Sequence, residues 1–467
     1  MVGRIDELAI LNSCLTSDKS EFIALYGRRR VGKTYLIRTM FQNKMLFQLT
    51  GLANANMQQQ LINFKIAFQD QFTEREDISP KNWLEAFQLI KKKITSSKDK
   101  KKIIFIDELP WLDSTNSYFV QALEHFWNSW ASNRKDVFLI VCGSAASWMI
   151  QKVINNKGGL HNRLTHLLKI YPFTLKECKL YAENKNLGLN EYQLIQLYMV
   201  LGGIPYYWDH VKKGQSASEV INELCFSTNG ILKTEFKLIY KSLFNKYDKH
   251  EQIVKTLATK TKGLTRDEII KATKMVNGGS ITRLLFELEE SGFIRKYVPF
   301  EKKNRNSLYQ LADFYSLFYL KFIQNENTFS KNHWLKLIDS PKHRTWSGYS
   351  FEQLCLCHTD EIKKELGISG IETRVSSWKS FETGTQIDLL IERRDQAINL
   401  CEIKFSINEF CINKKYDQEL RTKLSNFRSE TKTKKAVMLT FISTYGLKKN
   451  EYSGNVHKEL KMGMFFE

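Results

Sequence analysis

The stretch Phe22–Met40, FIALYGRRRVGKTYLIRTM, constrains this chain more than any other. Its apolar start, Phe22–Tyr26, has the length and composition of a strand buried on both faces. Gly27 breaks that run. Beyond Val31, Gly32 and Lys33, the residues Leu36, Ile37 and Met40 fall at helical spacing. The intervening GRRRVGKT has the form G-x-x-x-x-G-K-[ST], between the strand and the helix that this motif requires. Glycine at 27 and 32 allows backbone angles forbidden to other residues, so the N–H groups of Arg28, Arg29, Arg30, Val31, Gly32 and Lys33 can turn inward around a polyphosphate. The helix that follows, with Thr34 and Tyr35 in its first turn, points its partly positive N-terminus at the same anion. Lys33 is expected to reach the β- and γ-phosphates, and the Thr34 hydroxyl to ligate Mg²⁺. The stretch therefore predicts a nucleoside triphosphate site.

A second half of that site is expected further along. Met45–Thr50 reads as another strand, and the lysine-rich run Lys91–Lys102 as a solvated loop. Ile103–Ile106 is β-branched and aromatic and ends in Asp107-Glu108. An acidic pair at the carboxyl end of a buried strand suits Mg²⁺ held through water by Asp107. Glu108 then orients and deprotonates the attacking water. Val137–Cys142 is the next apolar strand, closing on Gly143-Ser144, and Leu167–Tyr171 follows the segment GGLHNRLTHLL that contains Arg163. Arg163 could bring positive charge to the phosphates, in cis or from a neighbouring subunit. Beyond Pro172 the pattern turns helical, interrupted at Leu201-Gly202-Gly203-Ile204-Pro205.

Val2-Gly3-Arg4 ahead of a helix bearing Leu8, Leu11 and Leu15 resembles the VGR…EL box of the AAA+ ATPases, which implies that Arg4 lines an adenine pocket. GRRRVGKT, IDELPWL, CGSAASWM and LGGIPYYW stand in the order and spacing of a prokaryotic, chiefly archaeal, AAA+-like ATPase family related to the origin-recognition and signal-transduction ATPases. The resemblance covers about the first half of the chain. It implies ATP as the nucleotide, Ser144 as a sensor of the γ-phosphate (a plain strand-end turn is the alternative), and a helical lid after the core.

Composition narrows the remainder. With 70 basic and 50 acidic residues the chain carries a net charge of +20, which points to a polyanionic partner, DNA above all. The eight cysteines, at 14, 142, 178, 225, 355, 357, 401 and 411, form no disulfide framework, and Cys355-Leu356-Cys357-His358 lacks the second cluster of a zinc finger. MVGRIDEL has no apolar core for a signal peptide, and runs such as Val137–Cys142 are too short to span a bilayer. A reduced, cytoplasmic location without membrane contact is expected.

From Lys249 the pattern changes. Gln252–Thr259, the segment after Leu264–Glu268 and Ser280–Ser291 read as three helices, and Tyr297–Leu311 as a basic hairpin containing Glu301-Lys302-Lys303-Asn304-Arg305. This predicts a winged helix-turn-helix, with Arg283 exposed on the third helix and the wing lysines near phosphates. Asp313–Asn327, rich in Phe and Tyr, reads as a packed connector helix.

The last segment carries its own constellation. Gln386–Arg393 and Ile398–Phe405 read as strands joined at Arg394-Asp395-Gln396. A hairpin centred on Asp395 sets Asp388 opposite Glu402, with Lys404 on the same face and Ile387, Leu389, Cys401 and Ile403 on the other. Glu352, in the helical pattern FEQLCLCHTDEI, could add a third carboxylate. The arrangement is similar to the PD-(D/E)XK nuclease fold, which the ATPases named above often carry at the C-terminus. The resemblance implies that Asp388 and Glu402 hold Mg²⁺ or Mn²⁺, that Glu352 binds or positions it, and that Lys404 orients the attacking water. Tyr416–Phe427 as a helix and Ala436–Ile442 as a strand would complete that domain.

The expected fold class is α/β: a P-loop ATPase core with a parallel sheet (1–172), a helical lid (173–247), a winged helix-turn-helix (248–312), a helical connector (313–345) and a restriction-endonuclease-like αβ domain (346–467). Function then divides between a DNA-acting ATPase coupled to a metal-dependent nuclease and a regulatory ATPase switch with a silent nuclease-like domain. A homo-oligomer and a protein partner are compatible with both.

Overall fold

In the computed structural model the described residues are 1–72, 78–154, 160, 162–244, 247–326, 332–380 and 382–467. They divide into two compact units. The first comprises Met1–Pro172 with Ser242–Asn245 and Phe286–Gly292, and the second Phe173–Lys241, Lys246–Leu285 and Phe293–Glu467.

The first unit is built on a five-stranded sheet. Its elements are α1 (Ile5–Thr16), β1 (Glu21–Tyr26), α2 (Lys33–Phe41), β2 (Met45–Thr50), α3 (Met57–Phe72), α4 (Trp83–Ser96), β3 (Lys102–Asp107), α5 (Phe119–Ser129), β4 (Val137–Gly143) and β5 (His166–Lys169). The strand order is β2-β3-β4-β1-β5 and each neighbouring pair is parallel. Every residue of β1, β3 and β4 is buried, as parallel strands covered on both faces require. Aromatic side chains fill one layer of the core: Phe22 meets Trp127 at 4.9 Å, and Phe87 stacks on Phe126 at 5.0 Å. Burying such a side chain contributes about 1.5–3 kcal/mol.

The run Lys91–Lys102 is not a loop throughout. Its first half completes α4, where Ile90 and Ile94 are buried, and Lys102 opens β3. The lysines there occupy the solvent side of an amphipathic helix, a pattern that a charge run hides.

The second unit opens with helices including Leu175–Asn184, Glu191–Leu201 and Ala217–Phe226. Then come α6 (Tyr247–Ala258), β6 (Leu264–Thr265), α7 (Arg266–Thr273), α8 (Gly279–Glu290, whose end from Phe286 belongs to the first unit), β7 (Ile294–Tyr297) and β8 (Leu308–Leu311). These strands pair antiparallel in the order β6-β8-β7. Thr265 caps α7: its hydroxyl accepts from the Glu268 N–H at 3.3 Å, and the Glu268 carboxylate accepts from the Thr265 N–H at 2.7 Å. The aromatic stretch after Asp313 forms a short α-helix, Phe314–Phe318, and a π-helical turn, Tyr319–Ile323, packed into the interior.

The C-terminal part adds α9 (Pro341–Cys357), β9 (Thr373–Lys379), β10 (Gln386–Arg393), β11 (Ala397–Lys404), α10 (Lys414–Thr431), β12 (Ala436–Ser443) and β13 (Lys458–Lys461). The sheet runs β13-β12-β11-β10-β9, antiparallel from β9 to β11 and parallel from β11 to β13. Phe300, between β7 and β8, joins the core of this sheet beside Phe427 at 5.3 Å, and its N–H donates to the Ser377 carbonyl at 2.8 Å. The connection between β7 and β8 is thus anchored to the C-terminal sheet.

His358 lies buried, with Nε2 accepting from the Leu175 N–H at 3.2 Å and Nδ1 2.9 Å from the Leu354 carbonyl. Both ring nitrogens are engaged with the backbone, and all eight cysteines are free thiols. Among the described residues no helix is long and apolar enough to cross a membrane.

Candidate functional site

The carboxyl ends of β1, β3 and β4 lie side by side, and each contributes a polar group. Gly27 leaves β1 with φ 139°, Arg30 follows at φ 70° and Gly32 at φ 90°, so the loop folds through positive-φ positions into α2. Gly27 has no alternative: a Cβ there would stand 2.4 Å from the Ile170 carbonyl oxygen. Arg28, Val31 and Lys33 are buried, Arg29 and Arg30 half-buried, and Tyr35 is exposed at the start of α2.

The loop is closed on its own lysine. The Lys33 ammonium donates to the carbonyls of Gly27 at 3.0 Å and Arg28 at 2.8 Å. Burial holds its pKa below the ordinary lysine value. Arg4 also reaches the loop. It is buried, in a left-handed conformation that caps α1, and its guanidinium donates to the Val31 carbonyl at 2.9 Å. It braces the loop from behind.

From β3, the Asp107 carboxylate accepts from the Thr34 hydroxyl at 2.8 Å, and its other oxygen accepts from the Glu108 N–H at 2.9 Å. A hydroxyl and a carboxylate so placed are hard oxygen donors of the kind that suits Mg²⁺. Glu108 has φ 49° and ψ 47°, a left-handed conformation that a side chain enters only when its surroundings hold it. Here the hold is visible. The Glu108 carboxylate accepts from the Ser144 hydroxyl at 2.9 Å and the Ser144 N–H at 3.3 Å, at the end of β4. Ser144 therefore positions Glu108 in this state, a contact that the sequence does not reveal because β3 and β4 become neighbours only through the sheet order.

Arg163 stands elsewhere. It is exposed in the turn before β5, and β5 begins level with Ile23, not with Gly27. At about 3.3 Å per residue the turn lies at the opposite edge of the sheet from the loop, more than about 13 Å away. That register gives no support to a cis role at the phosphates.

The acidic residues of the second unit come together around β10 and β11. Leu389 faces Cys401, Leu390 faces Leu400 and Glu392 faces Ile398, the register that a turn at 394–396 dictates. The ladder stops one pair short of Asp388 and Glu402. A register shift between Ile387 and Leu390 on the β9 side explains a departure: Ile387 joins Leu390 and Leu400 in the core that α10 covers, instead of the opposite face.

Glu402 is 6% exposed and fully engaged. One oxygen accepts from the Lys423 ammonium at 2.7 Å, and the other accepts from the Tyr416 hydroxyl and lies 3.3 Å from the Lys404 ammonium. Burial alone would raise its pKa, but Lys423 and Lys404 outweigh that and hold it below the ordinary glutamate value. Tyr416 and Lys423 sit two turns apart on one face of α10; that seven-residue spacing was the available signal for them. Asp388 accepts from the Gln386 side-chain amide and is raised by burial. Glu352, on α9, is raised to about 8 by burial and by the Asp388 charge. The donor oxygens of Glu352, Asp388 and Glu402 do not all come within 4.8 Å of one another. They are the hard donors that Mg²⁺ or Mn²⁺ takes.

The raised acid has a consequence for stability. Below about pH 4.5 Glu352 is protonated in both the folded and unfolded chain; between there and about pH 8 only the folded chain keeps the proton. Stability of the second unit therefore falls as pH rises through that window. Thermal melts from about pH 5 to about pH 8.5 are expected to decline less steeply in Glu352→Gln than in the wild type. Parallel profiles would contradict a buried acid at this position.

Residues 1–211 match the model of an ATPase domain found predominantly in archaea. That stretch of the chain is thus similar to the ATPase domains of that family. An uncharacterized protein of Methanocaldococcus jannaschii is 25% identical over 409 residues, 86% of this chain and 87% of its own length. An uncharacterized ATP-binding protein of the same organism is 47% identical over 45 residues, 10% of this chain and 76% of its own. Among solved structures, a Walker-type ATPase of Pyrococcus abyssi superposes with a TM-score of 0.51 at 17% identity, over 69% of this chain and 96% of that one. That likeness supports the α/β fold with a parallel sheet. The matched stretch contains the loop, the acid pair and β4.

Proposed function

We propose that this protein is a Mg²⁺-dependent ATPase whose second unit acts on DNA and carries a nuclease-like site. The observation that carries the first part is the meeting of Thr34 with Asp107, and of Glu108 with Ser144, at the mouth of a loop closed by its own lysine. On ATP binding, Lys33 would exchange the Gly27 and Arg28 carbonyls for the β- and γ-phosphates. Glu108 would orient water in line with the γ-phosphate and take its proton on a carboxylate oxygen. Mg²⁺ at Thr34 and Asp107 would supply charge stabilisation for the transferring group. If Arg163 serves the phosphates, it does so from a neighbouring subunit of a homo-oligomer.

The DNA reading rests on the net charge of +20 and on the run of α6, α7, α8 and the β7–β8 ribbon, which has the order of a winged helix-turn-helix with Arg283 exposed. The nuclease reading rests on Asp388, Glu402 and Lys404 meeting at one end of the β10–β11 hairpin with Glu352 nearby. Asp388 and Glu402 would hold Mg²⁺ or Mn²⁺, which activates water; Lys404 would orient that water toward the phosphodiester. The Lys423–Glu402 pair favours a second reading, in which the site binds DNA or a protein partner and does not cut.

Supercoiled plasmid and single strands incubated with Mg²⁺ or Mn²⁺, with and without ATP, separate the two. Cleavage by the wild type that is lost in Asp388→Ala is expected; ATP hydrolysis without any cleavage would leave the binding role. DNA affinity should fall steeply with salt as phosphate counterions are released, and a salt-independent affinity would argue against phosphate contacts.

A further inference from the structure

The edge of the parallel sheet away from the nucleotide loop holds a second cluster. Cys14 lies near the end of α1, Glu21 opens β1 and His166 opens β5. A ligand atom of each lies within 4.8 Å of the other two. The topology makes this meeting: β1 and β5 run parallel from Ile23 paired with His166, and α1 leads directly into β1. Cys14 is 1% exposed and Glu21 2%.

The Glu21 carboxylate points independently to a missing cation. Its Oε2 is buried and makes no hydrogen bond, while Oε1 has the Lys19 ammonium only at 3.9 Å. A buried carboxylate oxygen without a partner is costly. Lys101 lies nearby but donates to three carbonyls, of Ser17 at 2.9 Å, Lys19 at 2.5 Å and Lys135 at 3.1 Å. Its donors are used there.

We propose that Cys14, Glu21 and His166 bind a divalent transition-metal ion, Zn²⁺ being the one whose chemistry they fit. Thiolate, imidazole and carboxylate are the donors of tetrahedral zinc, whereas a buried thiol is a poor ligand for Mg²⁺ or Ca²⁺. Binding replaces the S–H proton of Cys14 by the metal and releases that proton to solvent. Three protein ligands leave a fourth position for water. The site ties α1 to β1 and β5, and so clamps the helix whose Arg4 cap braces the nucleotide loop through Val31.

The test is titration of the metal-stripped full chain with Co²⁺, followed by displacement with Zn²⁺. One thiolate-bound Co²⁺ per chain, read from its thiolate-to-cobalt charge-transfer band, is expected, together with a rise in melting temperature. The band should vanish in Cys14→Ser, weaken at least about tenfold in affinity in His166→Gln, and persist in Cys357→Ser and Asp388→Ala. His166 is only partly buried, so that variant serves if Cys14→Ser fails to fold. No band in the wild type, or a band unchanged in His166→Gln, would overturn the site.

Discussion

Replacing Glu108 by glutamine is expected to lower ATP turnover by about 10²–10⁴-fold while nucleotide affinity stays near that of the wild type. The separation follows from what each group touches. Phosphate binding falls to the loop N–H groups, Lys33 and the start of α2; of these Lys33 feels the Glu108 charge, alongside that of Asp107, which remains in the variant. Glutamine keeps the size of the side chain and an oxygen that can accept from Ser144, so the left-handed turn at 108 stays supported. What it loses is the basic carboxylate that takes the proton of the attacking water. Phosphate release under saturating ATP, beside nucleotide binding measured separately, reads both quantities. Turnover at the wild-type rate would remove Glu108 from the chemistry. A parallel loss of binding would mean that the substitution had disturbed the loop instead.

Gly27→Ala is expected to be the most damaging single methyl group in the first unit. The added Cβ meets the Ile170 carbonyl oxygen at 2.4 Å, a backbone atom that cannot move aside alone, and φ 139° is strained for any side chain. Strain of about 1–3 kcal/mol and overpacking of similar size give a loss of about 2–6 kcal/mol. Gly32→Ala is the control. Its φ of 90° carries the strain, but nothing lies within 4 Å of the new Cβ, so the loss should be about 1–3 kcal/mol. Denaturant melts of the two variants measure the difference. Equal destabilisation would mean that the approach of Ile170 carries no energetic weight.

Much of the first unit was legible because its strands are short, apolar and followed at once by the residues that do the chemistry. Phe22–Tyr26 runs into GRRRVGKT and Ile103–Ile106 into Asp107-Glu108, so local pattern and site coincide. What could not be read was set by strand order. Ser144 reaches Glu108 because β4 lies beside β3, and Arg163 falls at the far edge because β5 starts level with Ile23. Neither relation leaves a trace in spacing along the chain. The β10–β11 hairpin is the opposite case, since its three-residue connection fixes the pairing. Its polar environment was less visible: Tyr416 and Lys423 belong to a helix whose charged composition resembles a solvated surface, although both turn inward to Glu402. Glu21 is hidden for a similar reason, as an acidic first residue of an apolar strand reads as its exposed end. It is buried.

The most direct measurement is ATP hydrolysis by the full chain with Mg²⁺, with EDTA, and in Lys33→Ala. Lys33 is the cation that the loop holds against its own carbonyls, and removing it should take away the attraction for the β- and γ-phosphates. The account predicts phosphate release by the wild type with Mg²⁺, none with EDTA, and a fall of at least about 100-fold in Lys33→Ala. Undiminished release in Lys33→Ala, or hydrolysis indifferent to EDTA, would contradict a P-loop ATPase site at Gly27–Thr34.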